Sequence, residues 1–244
     1  MLLVKYIAFI LFFSISLFAS SITVAVAANV SYAINDLIKA FNQINPDIKI
    51  KIILGGSGKL SAQIQHHAPY DIFMSANMQY PQTLFNKGYA VSEPIVYAKG
   101  AIVYFSRKKQ NFLNKNLLLN TNIKKIAIAN PRTAPYGKAT IEALKNLKIY
   151  NAIKYKLVYG ESISQTVIYA LKVADIGIIA KSALFSPKLK QYKKNINWYE
   201  IDSKLYTPIK QGIIKLNNKP TTIQFYNFIL NSTAQNIFKQ YGYL

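Results

Sequence analysis

One unit recurs along this chain and narrows what it can fold into. A short run of β-branched and apolar residues stops at a turn of Gly, Ser or Asn, and a helical pattern begins at once. The clearest copy is residues 48–54, which run through Gly55 and Gly56 to Ser57, after which Leu60 and Ile64 fall on one side of a helix. Such alternation at short intervals predicts an α/β fold with a mostly parallel sheet, in which ligands lie at the carboxyl ends of the strands. The junction also has a chemistry. Glycines let the backbone approach a ligand, and the first turn of a helix offers N–H groups without intrahelical acceptors and roughly half a unit of positive charge. A turn of this kind holds an anion with backbone donors. Taken alone, it is equally well an ordinary strand-to-helix turn with a serine cap.

In chain order, residues 22–28 read as a buried strand stopped by Asn29, a preferred N-cap, with Ala33, Leu37, Ile38 and Phe41 following at helical spacing. Pro46 ends that helix, and residues 48–54 and 71–76 are the next strands, each followed by a helical stretch. Two extended segments, 95–97 and 101–105, flank Gly100 and mark a crossing into a second unit. After a lysine- and asparagine-rich surface excursion at 108–122, the plan returns. It gives a strand at 125–130, a turn at 131–137 and a helix through Ile141, Leu144 and Leu147. An extended stretch at 156–160 then leads to a helix capped by Ser162, and a strand follows at 175–180. Residues 209–216 are extended, and two helical patterns, 221–230 and 233–241, close the chain. Two α/β halves crossed more than once by the chain form a cleft at their interface. Four junctions face that expectation: Asn29 and Ser57 from the first half, Tyr136 with Gly137 and Ser162 with Ile163 from the second.

Residues 1–19 are of another kind. Lys5 precedes an apolar run at 6–18 that ends in the small residues Ala19, Ser20 and Ser21, the order of a secretory signal peptide. The run is short for a membrane span, so the expectation is an exported, soluble mature protein. A formal net charge of +21 invites a nucleic-acid reading, but the distribution opposes it. Arg107 and Arg132 are the only arginines, and the lysines are scattered rather than gathered on one face. That coat attracts anions in general.

Several chemistries find no support. A phosphate-binding P-loop needs a glycine five residues ahead of its Gly-Lys pair and Ser or Thr after the lysine, where this chain has Ile53 and Leu60. The absence of cysteine removes thiolate metal sites, and His66-His67 without a third histidine reads as a surface pair. Lys59 on the first turn of its helix, and Asp71 and Asp175 at the openings of apolar strands, read as solvent-facing and structural respectively. No Gly-x-Ser-x-Gly elbow, His-Glu-x-x-His motif or carboxylate pair beside a nucleophile is present, so no catalytic residue is assigned.

The segments Ile22-Thr-Val-Ala-Val-Ala-Ala-Asn29, Gly55-Gly-Ser-Gly-Lys-Leu60, Pro69-Tyr-Asp-Ile-Phe-Met-Ser-Ala76, Asn130-Pro-Arg-Thr-Ala-Pro-Tyr-Gly137, Gly160-Glu-Ser-Ile-Ser-Gln165 and Asp175-Ile-Gly-Ile-Ile179 occur in this order over nearly the whole mature chain. Together they resemble the periplasmic molybdate-binding proteins that serve ABC transporters for molybdate and tungstate. The resemblance implies a two-lobed periplasmic-binding-protein fold of type II. Lobe 1 would comprise residues 20–100 and 207–244, lobe 2 residues 101–206, with the ligand between them. It further implies an oxyanion site without a resident cofactor or direct metal ligand. Ser57 would donate its hydroxyl and backbone N–H, Tyr136 and Ile163 their backbone N–H groups, and Asn29 its side-chain amide and backbone N–H. Some family members place a tyrosine hydroxyl on the anion, but the matching position here is Ala180, so that contact is expected to be missing. The partners implied are a small oxyanion and a membrane permease, with the protein itself a periplasmic monomer.

Donors alone suit a fully deprotonated oxyanion, which has only acceptor oxygens, whereas monohydrogen phosphate carries a proton that needs an acceptor. Glu161, beside Ser162, is the one carboxylate near these positions. The alternatives are a receptor for another tetrahedral anion such as sulfate, a secreted enzyme acting on a small anionic substrate, and a lysine-rich surface binder.

Overall fold

The computed structural model describes residues 20–244, so the signal segment read at 1–19 lies outside the described residues. The chain builds two five-stranded sheets flanked by helices. The first sheet takes β1 (Ser20–Ala27), β2 (Ile48–Gly55), β3 (Ile72–Met74) and β4 (Ile95–Gly100), joined by a 3-10 turn (Ala28–Tyr32), α1 (Ile34–Ile44), α2 (Ser57–Gln65) and α3 (Gln79–Asn86). The second takes β5 (Ile102–Phe105), β6 (Ile126–Ala129), β7 (Leu157–Gly160), β8 (Ile176–Ala180) and β9 (Trp198–Glu200), with α4 (Pro135–Asn146), α5 (Tyr150–Ile153) and α6 (Ile163–Lys172). The chain then returns to the first sheet as β10 (Ile209–Lys215) and ends in α7 (Pro220–Leu230) and α8 (Ser232–Gln240).

The sheets share one plan, in the orders β2-β1-β3-β10-β4 and β7-β6-β8-β5-β9. In each, three neighbouring strands pair in parallel, as the strand-turn-helix units require. β10 and β5 run against the other four and pair antiparallel on both sides, making the sheets mixed, and with β4 and β9 they are the strands next to the crossings. Ala101 alone separates β4 from β5, so the first crossing is a single residue long. β9 escaped the sequence reading because it has three residues and none of them is buried. Residues 108–122 are largely exposed, as expected, but Phe112 and Leu118 are buried. The Lys156 ammonium fastens that segment by donating to the carbonyls of Leu118, Leu119 and Asn120.

The sheets are covered on both faces, which explains the continuous apolar runs of β1 and β8. Val24 and Val26 point into a core with Leu37, Phe41, Phe225 and Phe228, while Ala25 between them joins Leu60, Phe73 and Leu84 on the opposite face. Each sheet is also tied at the amino end of its central parallel strands by an aspartate. Asp71 accepts from the Thr23 N–H at 2.6 Å, and Asp175 accepts from the N–H groups of Lys124 and Lys125 at 2.9 Å. The carboxyl ends of the same strands are left for the cleft.

Candidate functional site

At the carboxyl ends of β1, β2, β6 and β7 the chain turns at Ala28–Tyr32, Gly55–Ser57, residues 130–136 and residues 160–163. These four turns touch one another across the two lobes. The Gly58 N–H donates to the Thr133 carbonyl at 3.0 Å, joining the start of α2 to the turn before α4. The Asn130 N–H donates to Gly160 O at 2.8 Å, joining the α4 and α6 turns. Ser164 on α6 donates its hydroxyl to Ala28 O at 2.7 Å and lies 3.2 Å from the Ser31 hydroxyl, which closes the ring onto the 3-10 turn. Ala27, Ala28 and Ala76 of the first lobe pack in one apolar cluster with Ala134, Tyr136 and Ile163 of the second. The lobes are in contact.

Of the four expected residues, Asn29 is 0% exposed, Ser57 and Tyr136 are each 1% exposed and Ile163 is 4% exposed. Ser57 is the first residue of α2, with Gly56 in the cap position, so its side chain is not spent on capping. Its Oγ instead accepts from the Ala76 N–H at 2.9 Å, which leaves the hydroxyl proton to donate. Tyr136 follows Pro135 in the first turn of α4, and Ile163 opens α6 behind Ser162, whose Oγ accepts from the Gln165 N–H at 3.2 Å. Ser162 is therefore the N-cap its sequence suggests. Asn29 is not. It lies inside the 3-10 turn, α1 starts only at Ile34, and the Asn29 side chain is drawn inward by long-range partners. Among the described residues, no acceptor pairs with the backbone N–H of Asn29, Ser57, Tyr136 or Ile163.

The partners of Asn29 were invisible to local sequence reading. Its Nδ2 donates to Gln211 Oε1 at 2.8 Å and to the Tyr243 hydroxyl at 2.9 Å, from β10 and the chain's last residues. Its carbonyl accepts from Tyr243 at 2.9 Å and from Ser182 at 3.2 Å. Gln211, itself 0% exposed, accepts from Tyr97 at 2.9 Å and donates to the Tyr136 hydroxyl at 3.2 Å. Burial pushes the phenols of Tyr97, Tyr136 and Tyr243 up from their ordinary range, so they remain neutral donors.

The surroundings carry little fixed charge. Glu161 is exposed, with its backbone N–H engaged by Gln165, and Lys59, His66 and His67 are exposed as well. Asp71 is the buried acid among the described residues, and it stands at the opposite end of its strand. Ala180 is a fully buried methyl at the end of β8, with no hydroxyl to offer. No group of three or more His, Cys, Asp and Glu side chains is arranged to hold a metal among the described residues. Three grooves have volumes of about 280, 1000 and 580 Å³; none is lined by the four expected residues, but the second borders the site, with Ser31 and Ser164 in its lining. What this arrangement can do chemically is surround a compact, acceptor-only group with uncharged donors from both lobes.

Known proteins share this architecture. A protein of Rhodobacter capsulatus named Molybdate-binding protein ModA is 31% identical over 231 residues, which is 93% of this chain and 89% of that protein. The structure of the Azotobacter vinelandii periplasmic molybdate-binding protein matches with a TM-score of 0.83 at 27% identity, covering 91% of this chain and 98% of that one. The sulfate-binding protein SubI from Mycobacterium tuberculosis H37Rv matches with a TM-score of 0.74 at 15% identity, covering 92% of this chain and 86% of that one, a likeness of fold alone. The family described as Bacterial extracellular solute-binding protein matches residues 22–244. With its two mixed-sheet lobes in contact at these turns, this chain belongs to the bacterial extracellular solute-binding proteins.

Proposed function

We propose that this protein captures molybdate, and tungstate with it, outside the cytoplasm and delivers it to the membrane permease of an ABC transporter. The observation that carries the reading is the set of four buried backbone N–H groups without protein acceptors, at Asn29, Ser57, Tyr136 and Ile163, drawn from turns that meet across the lobes. Buried donors left unpaired are costly, so four of them on adjoining turns suit a ligand made of acceptors. A tetrahedral dianion such as molybdate is that ligand, and the relatives named for molybdate agree with it.

In this reading the first lobe is residues 20–100 with 207–244, the second is residues 101–206, and the chain works as a monomer in the periplasm after loss of its signal. It binds and releases the anion unchanged, as a receptor without enzyme activity or cofactor. The hydroxyl that some relatives bring from the position of Ala180 has no counterpart there. A sulfate receptor is the second reading, because sulfate is likewise a tetrahedral dianion with acceptors alone.

Calorimetric titration of the mature protein with molybdate, tungstate, sulfate and phosphate separates them. One-to-one binding of the first two, with the last two at least about a hundredfold weaker, is the expected result, a gap of about 2.7 kcal/mol. Sulfate binding as tight as molybdate binding would favour the second reading.

A further inference from the structure

The Asn29 side chain poses a problem that the rest of the site solves. Both of its Nδ2 contacts go to protein, to Gln211 and Tyr243, while its Oδ1 is buried with no hydrogen-bond partner. If the proposed anion sits against this side chain, an unpaired acceptor is the wrong end of the amide. The neighbours, however, can serve either sense. With both amides turned over, Gln211 Nε2 would take the place of Oε1, 2.8 Å from Asn29 and 2.9 Å from the Tyr97 hydroxyl, and would donate to both. Tyr97 would then donate to Ser75 O, 3.4 Å away. Gln211 Oε1 would stand 3.2 Å from Tyr136 and accept from that hydroxyl. Tyr243, 2.9 Å from both the Asn29 amide and its carbonyl, can turn its proton to the amide, because Ser182 still donates to that carbonyl. Every other polar atom keeps a partner, and Asn29 Nδ2 alone is freed, at the place of the orphan oxygen.

We infer that Gln211 is the positioning residue of the anion site: its amide and that of Asn29 reverse together, and the reversed pair points an N–H of Asn29 at the ligand. The inference rests on the molybdate reading and adds to it how the donor is selected. Gln211 does not touch the anion. It is suited to this task because it sits on β10, at an irregularity between Gln211 and Gly212, where Tyr97 of the first lobe and Tyr136 of the second both reach it. A proton-bearing anion would be served by the other sense, so residue 211 also decides between the two ligand classes.

The test is a double-mutant cycle read by titration with sodium molybdate. The proteins are the unmodified mature chain, Gln211→Met, Asn29→Ser and the double variant, with thermal melts to confirm folding. Gln211→Leu, likewise uncharged and unable to hydrogen-bond, runs in parallel and replaces Gln211→Met if that variant does not fold. A serine at position 29 can rotate its hydroxyl unaided and needs no orienting partner. The expected result is an affinity loss of about tenfold from Gln211→Met in the Asn29 protein and under about twofold in the Asn29→Ser background. Equal losses in both backgrounds would mean that Gln211 is only structural, and would overturn the inference while leaving the molybdate reading in place. Absence of molybdate binding in the unmodified protein would overturn both.

Discussion

Gly58 and Thr133 belong to different lobes, yet the Gly58 N–H lies 3.0 Å from the Thr133 carbonyl oxygen, so two backbones meet where the cleft closes. A Cβ at Gly58 would stand 2.8 Å from the Tyr80 hydroxyl and 3.2 Å from both Cα and O of Thr133. The tyrosine tip can swing aside, but the backbone of Thr133 can retreat only if the lobes part. Gly58→Ala is therefore expected to oppose closure by about 1–3 kcal/mol, the usual scale of overpacking. Molybdate affinity should fall accordingly, and small-angle scattering with ligand present should report a more open particle. Unchanged affinity together with unchanged dimensions would refute this account of closure.

Ser57 serves the site twice in our reading, holding Ala76 through its oxygen and offering its own proton. Ser57→Ala removes both, and leaves the buried Ala76 N–H unpaired. Molybdate capture should weaken by roughly 1–3 kcal/mol, with a small drop in melting temperature alongside. An affinity identical to that of the parent would take the Ser57 hydroxyl out of the site.

Gly100 ends β4 immediately before the chain crosses between sheets, and a Cβ there would lie 2.1 Å from the Tyr136 hydroxyl and 2.9 Å from Gln211 Nε2. Gly100→Ala should destabilise the fold by about 1–3 kcal/mol, because neither neighbour has room to withdraw in a buried network. Combining it with Tyr136→Phe deletes the nearest clashing atom and should restore part of the loss. Thermal melts of the two single variants and the pair decide the matter, and strictly additive losses would contradict it.

Asp71 bears on acid stability. Burial alone would push its carboxyl up, but the Thr23 N–H, Lys219 and Asn217 together outweigh that and hold it below its ordinary value of 3.8. A carboxyl lowered in the folded state contributes stability above the unfolded value and loses it as pH falls through the folded one. The loss therefore belongs below about pH 4. Asp71→Asn places an N–H₂ among donors and should cost about 1–3 kcal/mol at pH 7. Its penalty relative to the parent should shrink toward pH 3. Melts at both pH values would test this, and a penalty that grows on acidification would reverse the assignment.

Much of the fold was legible because its signals are local. The run Ile-Thr-Val-Ala-Val-Ala of β1, the Gly-Gly-Ser turn, and Ser162 with Gln165 three residues on each announce an element within a few positions. The strand order could not be read that way. That β10 inserts between β3 and β4 depends on pairing across more than a hundred residues, as between Ile213 and Met74. The same holds for the site. Asn29 was identifiable by its place after β1, but its role as a cap was misjudged because its partners, Gln211 and Tyr243, are 182 and 214 positions away. Nothing near Gln211 in sequence distinguishes it from a surface glutamine. Only burial against Tyr97, Tyr136 and Asn29 does.

The matching placement of Asp71 and Asp175, each at the amino end of its sheet, has a kinetic meaning. If the ligand is gripped by dipoles while the lysine coat lies outside, added salt should screen the approach of a dianion and leave its departure alone. Capture would then slow in brine, yet the residence time of a molecule already enclosed would be the same as in dilute buffer.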